Sequence, residues 1–129
     1  MKTIEVQTHQ REEFIDITPN VQQAVSSAGI TEGICLVYIP HTTAGLTINE
    51  HADPDVTADI LMVLRKLVSD SLPYEHGEGN SPAHVKASLL GSSVQVIIEN
   101  GRLALGTWQG IFFGEFDGPR KRKVYLHIR

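Results

Sequence analysis

The chain has one cysteine, one tryptophan and fewer basic than acidic residues, and each scarcity excludes something. Cys35 has no second thiol to pair with, so there is no intrachain disulfide and a reducing compartment suits the protein. Nothing beside Cys35 in the sequence would activate it, so it reads as a small hydrophobe within a strand. The longest unbroken apolar run, Ile34 to Ile39, falls far short of the roughly 20 residues that cross a bilayer. The opening MKTIEVQTHQ alternates instead of forming an apolar block, so the expectation is no signal peptide, no membrane contact and a cytoplasmic location. A formal charge of -4, from 11 basic and 15 acidic residues, argues against a general nucleic-acid binder. No repeat, linker or low-complexity tract divides the 129 residues, which predicts a single domain over 1–129.

What is present alternates between strand and helix signals. Ile4 and Val6, then Phe14, Ile15 and Ile17, read as two short strands joined in a hairpin. Thr18-Pro19 predicts a capped helix start, with Val21, Val25 and Ala28 on one face and Gly29 as the stop. A buried strand over 34–39 and a short strand near Leu46-Thr47-Ile48 follow. Asp53-Pro54 repeats the cap signal ahead of Val56, Ile60, Val63, Leu64 and Leu67 at helical spacing. The polar stretch Ser69 to Gly79 reads as a loop. Ser81-Pro82 opens a third helix, carrying Ala83, Ala87 and Leu90 and closed by Gly91. Strands then run to the end, over Val94–Ile98, Leu103–Leu105, Ile111–Phe116 and Val124–Ile128, with Asn100-Gly101 as a hairpin turn. The expected fold is α+β, a mainly antiparallel sheet sandwich packed with about three helices.

The chemistry concentrates first in PHTTAGLTINEHADPDVTAD, residues 40 to 59, where an apolar strand empties into His41, Thr42, Thr43, Asn49, Glu50, His51, Asp53 and Asp55. His41, His76 and His84 make one candidate set. His84 lies in the first helical turn, where the local positive charge keeps an imidazole neutral, the form that binds metal. Three such nitrogens with an open fourth position would be a catalytic-type zinc site. No HExxH or paired-cysteine motif forces that convergence, and separate hydrogen-bonding roles for the three rings are the alternative. Glu50 is a candidate general acid/base or magnesium ligand, against an exposed loop glutamate. Asp53 reads mainly as a helix cap.

The basic group Arg120-Lys121-Arg122-Lys123, with Arg129, holds five of the 11 basic residues. Strand alternation would place Arg120 and Arg122 on one face, where two guanidinium forks, extended by Arg102, could hold a phosphate or diphosphate. A solvated strand edge is the alternative. Trp108, between glycines in GTWQG, would either wall a pocket and stack on a ring or close the core.

Three blocks, PHTTAGLTINEHADPDV, YEHGEGNSPAHVKASLLGSS and GRLALGTWQGIFFGEFDGPRKRKV, together resemble the YjbQ-like family, the secondary thiamine-phosphate synthase family. The resemblance implies a small homotrimer with sites near subunit contacts. It implies an enzyme that joins a pyrimidine diphosphate to a thiazole phosphate, giving thiamine phosphate and diphosphate. His41, His76 and His84 match the family's recurrent histidines, which favours a divalent metal there, zinc first, with magnesium possible for a diphosphate substrate. Asn49 and Glu50 match its NE pair, Trp108 and Gln109 its GTWQ block, and Glu115 a later acidic position. The expected roles are His41, His84 and Glu50 in catalysis, with Thr42, Thr43, Asn49, Arg102, Trp108, Gln109, Arg120 and Arg122 on the substrate. A metal-dependent hydrolase or lyase, or a non-catalytic trimeric metabolite binder, are the rival readings. Two departures stand out. His51 replaces a frequent asparagine, and the loop between His76 and His84 is shorter than in some members.

Overall fold

The computed structural model describes residues 1–129. In chain order the elements are β1 (Lys2–Gln7), β2 (Glu13–Asp16), α1 (Thr18–Ala28), β3 (Glu32–Tyr38), β4 (Ala44–Glu50), α2 (Pro54–Leu67), α3 (Ser81–Leu90), β5 (Ser93–Glu99), β6 (Arg102–Leu103), β7 (Gln109–Glu115) and β8 (Lys121–Ile128). All pairings are antiparallel and form two sheets, β1-β8-β3-β5-β6 and β2-β7-β4. The larger core joins Cys35, Val37, Val96, Ile98, Val124 and Leu126 of the first sheet to Leu46, Ile111 and Phe113 of the second, with Val21 and Val25 of α1. The α+β sandwich with three helices is therefore as the sequence predicts.

The smaller sheet is covered on both sides. Its far face carries a second apolar cluster of Leu64 from α2, Ala83 and Ala87 from α3, and Phe116. Phe14 sits edge-on to Phe112 and Phe116, with ring centroids 6.3 and 6.2 Å away. Burial on both faces explains why β7 reads QGIFFGE, with Gly110 through Glu115 all buried. The expected fully buried strand, β3, is different. Cys35 and Val37 face the core, whereas Ile34 and Tyr38 are exposed because no helix covers that face of the larger sheet.

Several local expectations change. β1 and β2 form no hairpin: β1 pairs with β8 and β2 with β7, in different sheets. The connector turns because the Glu13 carboxylate accepts the amides of His9 and Gln10 at 2.6 and 2.8 Å. Thr18 does not cap α1. The Asp16 carboxylate takes the Thr18 amide and hydroxyl at 2.9 and 2.6 Å, and the Thr18 oxygen accepts the Ile111 amide at 2.8 Å, tying α1 to β7. Asp53 caps α2 as predicted, accepting the Asp55 amide at 2.9 Å. On α2 only Leu64 is buried, and Val63 and Leu67 face outward. β4 is a full strand that includes Asn49 and Glu50, so neither is a loop residue. The Asn100-Gly101 turn joins β5 to β6 with both residues at positive φ, 53° and 75°.

Cys35 is fully buried, and burial pushes its thiol pKa up to about 11. The folded protein should therefore leave an aromatic disulfide reagent unreacted at pH 8, and the unfolded chain should react with one equivalent. Fast labelling of the folded protein contradicts this packing.

Candidate functional site

The residues singled out in the sequence fall into three places. The first is a cleft of about 500 Å³ at one end of the sandwich, lined by His41, Thr42, Ala44, His84, Ala87, Ser88, Gly91 and Ser92. One wall is the irregular segment between β3 and β4, where Pro40 ends the strand. The other is α3 with its Gly91 stop. The two are stitched together by the chain leaving α3. The Ile39 amide donates to the Ser92 carbonyl at 2.8 Å and the Leu46 amide to the Gly91 carbonyl at 3.0 Å.

Beneath this cleft lies a buried polar network. The Arg122 guanidinium donates to the Glu115 carboxylate through Nε at 2.9 Å and also through Nη2. The same Nη2 donates to the Thr43 hydroxyl at 2.8 Å. The Thr8 hydroxyl donates to Glu115 Oε1 at 2.8 Å, and the Asp117 amide to Oε2 at 3.1 Å. Glu115 is 0% and Arg122 3% exposed, and the pair survives burial because partners meet both carboxylate oxygens and the guanidinium Nε and Nη2. Sequence reasoning missed this network.

The predicted guanidinium clamp is therefore not present. Arg122 points inward, with its Nε and Nη2 engaged by Glu115 and Thr43. Arg120 precedes β8, is half-exposed, and bonds the Asp117 carbonyl through Nε at 3.0 Å and its carboxylate through Nη2 at 3.2 Å. Arg102 sits on the edge strand β6, level with Glu99 and Glu32, at the opposite end of β3 from His41. Thr43 is buried, bonded to Arg122 and absent from the cleft lining, so it lies behind the cleft wall.

His41 accepts the Lys123 amide at Nε2, at 2.9 Å. A neutral imidazole has one donor and one acceptor nitrogen, so this bond places the proton on Nδ1. Burial and the Arg122 guanidinium, opposed by the Glu115 carboxylate, hold the His41 pKa below its ordinary 6.5. The folded protein thus favours the neutral ring. The stability this contributes is complete above about pH 6.5 and is lost as the pH falls toward the lowered folded value. His41→Gln should flatten the loss of stability between pH 6.5 and 5, measured by urea unfolding across that range. An unchanged slope contradicts the assignment.

His84 lines the same cleft, and His76 packs edge-on against it with ring centroids 5.3 Å apart. His76 also stands 4.0 Å from Glu78. The three-imidazole metal shell does not form within the chain, as no three His, Cys, Asp or Glu side chains converge as a ligand set. His41, with its Nε2 lone pair committed to an amide, keeps an N–H at Nδ1 and no second lone pair.

The remaining candidates lie elsewhere. Asn49 and Glu50 end β4 opposite Gly110 and Gln109, beside a 62% exposed Trp108 that closes no core. Six strand steps separate Ala44 from Glu50, about 20 Å, so Glu50 cannot act with His41 and His84 of its own chain. His51 belongs to this end. Its Nδ1 lies 2.9 Å from the Asp16 carboxylate, and its ring fills the space of a Cβ on Gly110, 2.5 Å from that position. Burial would raise the Asp16 pKa, but hydrogen bonds from Thr18 and His51 outweigh it and hold the carboxyl below its ordinary value.

The architecture is shared with known proteins. The sequence matches the profile described as UPF0047 protein YjbQ-like over residues 2–129. The chain belongs to the YjbQ-like UPF0047 family. UPF0047 protein MJ1081 of Methanocaldococcus jannaschii is 52% identical over 124 residues, covering 96% of this chain and 90% of the relative. UPF0047 protein YugU of Bacillus subtilis is 52% identical over 133 residues, covering 99% and 98%. A solved YjbQ/UPF0047 family structure from Clostridium acetobutylicum superposes with a TM-score of 0.97 at 56% identity, over 100% of both chains. A YbjQ-like protein of unknown function from Sulfolobus solfataricus gives 0.94 at 37% identity, over 98% of this chain and 94% of the other. No helix is long and apolar enough to cross a membrane.

Proposed function

We propose that this YjbQ-like chain is a transferase that binds a small phosphorylated metabolite in the cleft between His41 and α3. The observation that carries the reading is the cleft itself. It brings the imidazoles of His41 and His84 together with the hydroxyls of Thr42 and Ser92, while the Ser88 hydroxyl donates to the His84 carbonyl at 2.9 Å. Hydroxyl and imidazole N–H donors suit phosphoryl oxygens. The family resemblance supplies the reaction. The nitrogen of a thiazole phosphate forms a bond to the methylene carbon of a pyrimidine diphosphate. The carbon–oxygen bond to diphosphate breaks, and diphosphate leaves with the electron pair. Donors aimed at the departing oxygens stabilise that charge, and His41 Nδ1–H is one of them. No step is assigned to a protein-bound metal, because the histidines do not fit a three-ligand shell. Magnesium brought in by a diphosphate substrate is compatible with this chemistry.

The same reading includes a homotrimer assembled through the uncovered face of the larger sheet. Ile34, Leu36, Tyr38, Tyr125 and Ile97 lie there, with Tyr38 and Tyr125 stacked at 6.4 Å. An apolar face of this kind on a small soluble domain suits a second copy of the chain better than water. Mass in solution reads it directly.

The activity test incubates the protein with a pyrimidine diphosphate and a thiazole phosphate and follows thiamine phosphate. Turnover should appear and fall by roughly 100-fold in His84→Ala, the scale of a lost proton-transfer or charge-stabilising group. Phosphate release without condensation would instead mark a hydrolase. Thermal stabilisation by these ligands with no turnover would mark a binding protein. Equal turnover in the wild type, His41→Ala and His84→Ala removes the cleft from the mechanism.

A further inference from the structure

We infer that the buried Arg122–Glu115 pair is a positioning device that fixes His41 as an Nδ1–H donor to a phosphoryl group in the cleft. This rests on the cleft being the substrate site.

The segment carrying His41, Thr42 and Thr43 lies outside both flanking strands, so no ladder bonds of its own set its shape. It is held instead by consecutive residues of β8 and by the end of β7. The Lys123 amide donates to His41 Nε2 at 2.9 Å. Arg122 reaches the Thr43 hydroxyl at 2.8 Å and the Thr43 carbonyl at 3.4 Å. The Phe116 amide donates to the same carbonyl at 3.2 Å. Glu115 locks the guanidinium in place and is itself gripped by Thr8 and the Asp117 amide. The linkage thus runs from a carboxylate with no solvent contact to a ring at the cleft wall, through the adjacent residues Arg122 and Lys123 on β8 and through Thr43, two residues after His41.

The consequence is chemical as well as mechanical. A backbone N–H can only donate, so the Lys123 bond exists only while Nε2 is unprotonated. Nδ1–H is then the ring's remaining polar group, on a residue that lines the cleft. The charges around the ring are Arg122 and Arg120 on one side of the balance and Glu115 on the other, with the uncharged Lys123 amide as direct partner and His84 across the cleft. Second-layer bonds that set a histidine tautomer are a recurring way to prepare a catalytic imidazole.

The test begins on the unaltered protein, labelled with ¹⁵N-histidine, by two-bond ¹H–¹⁵N correlation at pH 7.5. The expected pattern for His41 is protonated Nδ1 and bare Nε2, and an Nε2–H ring overturns the proposal without bearing on activity. The second arm uses Thr43→Val, which deletes the hydroxyl acceptor of Arg122, and Thr43→Ser, which keeps it. Thr43→Val should show a mixed or reversed His41 tautomer and a kcat lowered at least 10-fold with KM changed less than threefold, and Thr43→Ser should restore both. If Thr43→Val fails to fold, Arg122→Lys gives the same comparison with the charge retained and the fork to Thr43 lost. A folded variant whose His41 tautomer and kcat match the wild type overturns the positioning role. An inactive wild type with the expected tautomer would defeat the proposed reaction and leave the positioning geometry standing.

Discussion

Glu115→Ala should destabilise the protein by about 3–5 kcal/mol, the usual cost of leaving one member of a buried ion pair without its partner. Arg122 would keep its charge at 3% exposure with only Thr43 as an acceptor. For a chain of this size the loss corresponds to a fall in Tm on the order of 10–20 °C. The double variant Glu115→Ala/Arg122→Met should recover most of it, because it removes the orphaned charge and fills the space with an apolar chain. Urea unfolding of the three proteins measures the difference. A single variant within 1 kcal/mol of the wild type would contradict the buried network.

Gly45→Ala should cost about 1–3 kcal/mol, the range for overpacking a tight contact. A Cβ at Gly45 would lie 2.8 Å from Leu90 Cβ and 3.1 Å from the Gly91 carbonyl oxygen. Both neighbours belong to the end of α3, which can yield only by moving off β4. That movement would also shift Gly91 and Ser92, which line the cleft. The variant should therefore lose ligand affinity along with stability, measured by thermal unfolding with and without thiazole phosphate. Wild-type stability would mean that α3 is not seated on β4 as described.

Much of the fold could be read directly. The Asp53 cap, the Gly29 and Gly91 stops and the Asn100-Gly101 turn are local signals, set by backbone chemistry within a few residues. The partnership of strands was less legible, because β1 and β2 look like a hairpin until long-range pairing with β8 and β7 sends them to different sheets. The inward direction of Arg122 is legible in the strand pattern. This residue shares strand parity with Val124 and Leu126, both buried, so it had to point inward. Glu115 shares parity with Ile111 and Phe113 in the same way and was its natural counter-charge. Spacing could not show that Glu50 and His41 end up at opposite ends of β4. They are close in sequence, and only the full length of an extended strand separates them.

Phosphorylated ligands should occupy the cleft beside His41 and α3. Titrating ¹⁵N-labelled protein with thiazole phosphate, and separately with inorganic diphosphate, tests it most directly through amide shift changes. Saturable changes centred on Thr42, His84, Ser88 and Ser92 are expected. Changes confined to Asn49, Glu50, Trp108 and Gln109, or none at millimolar ligand, would contradict it.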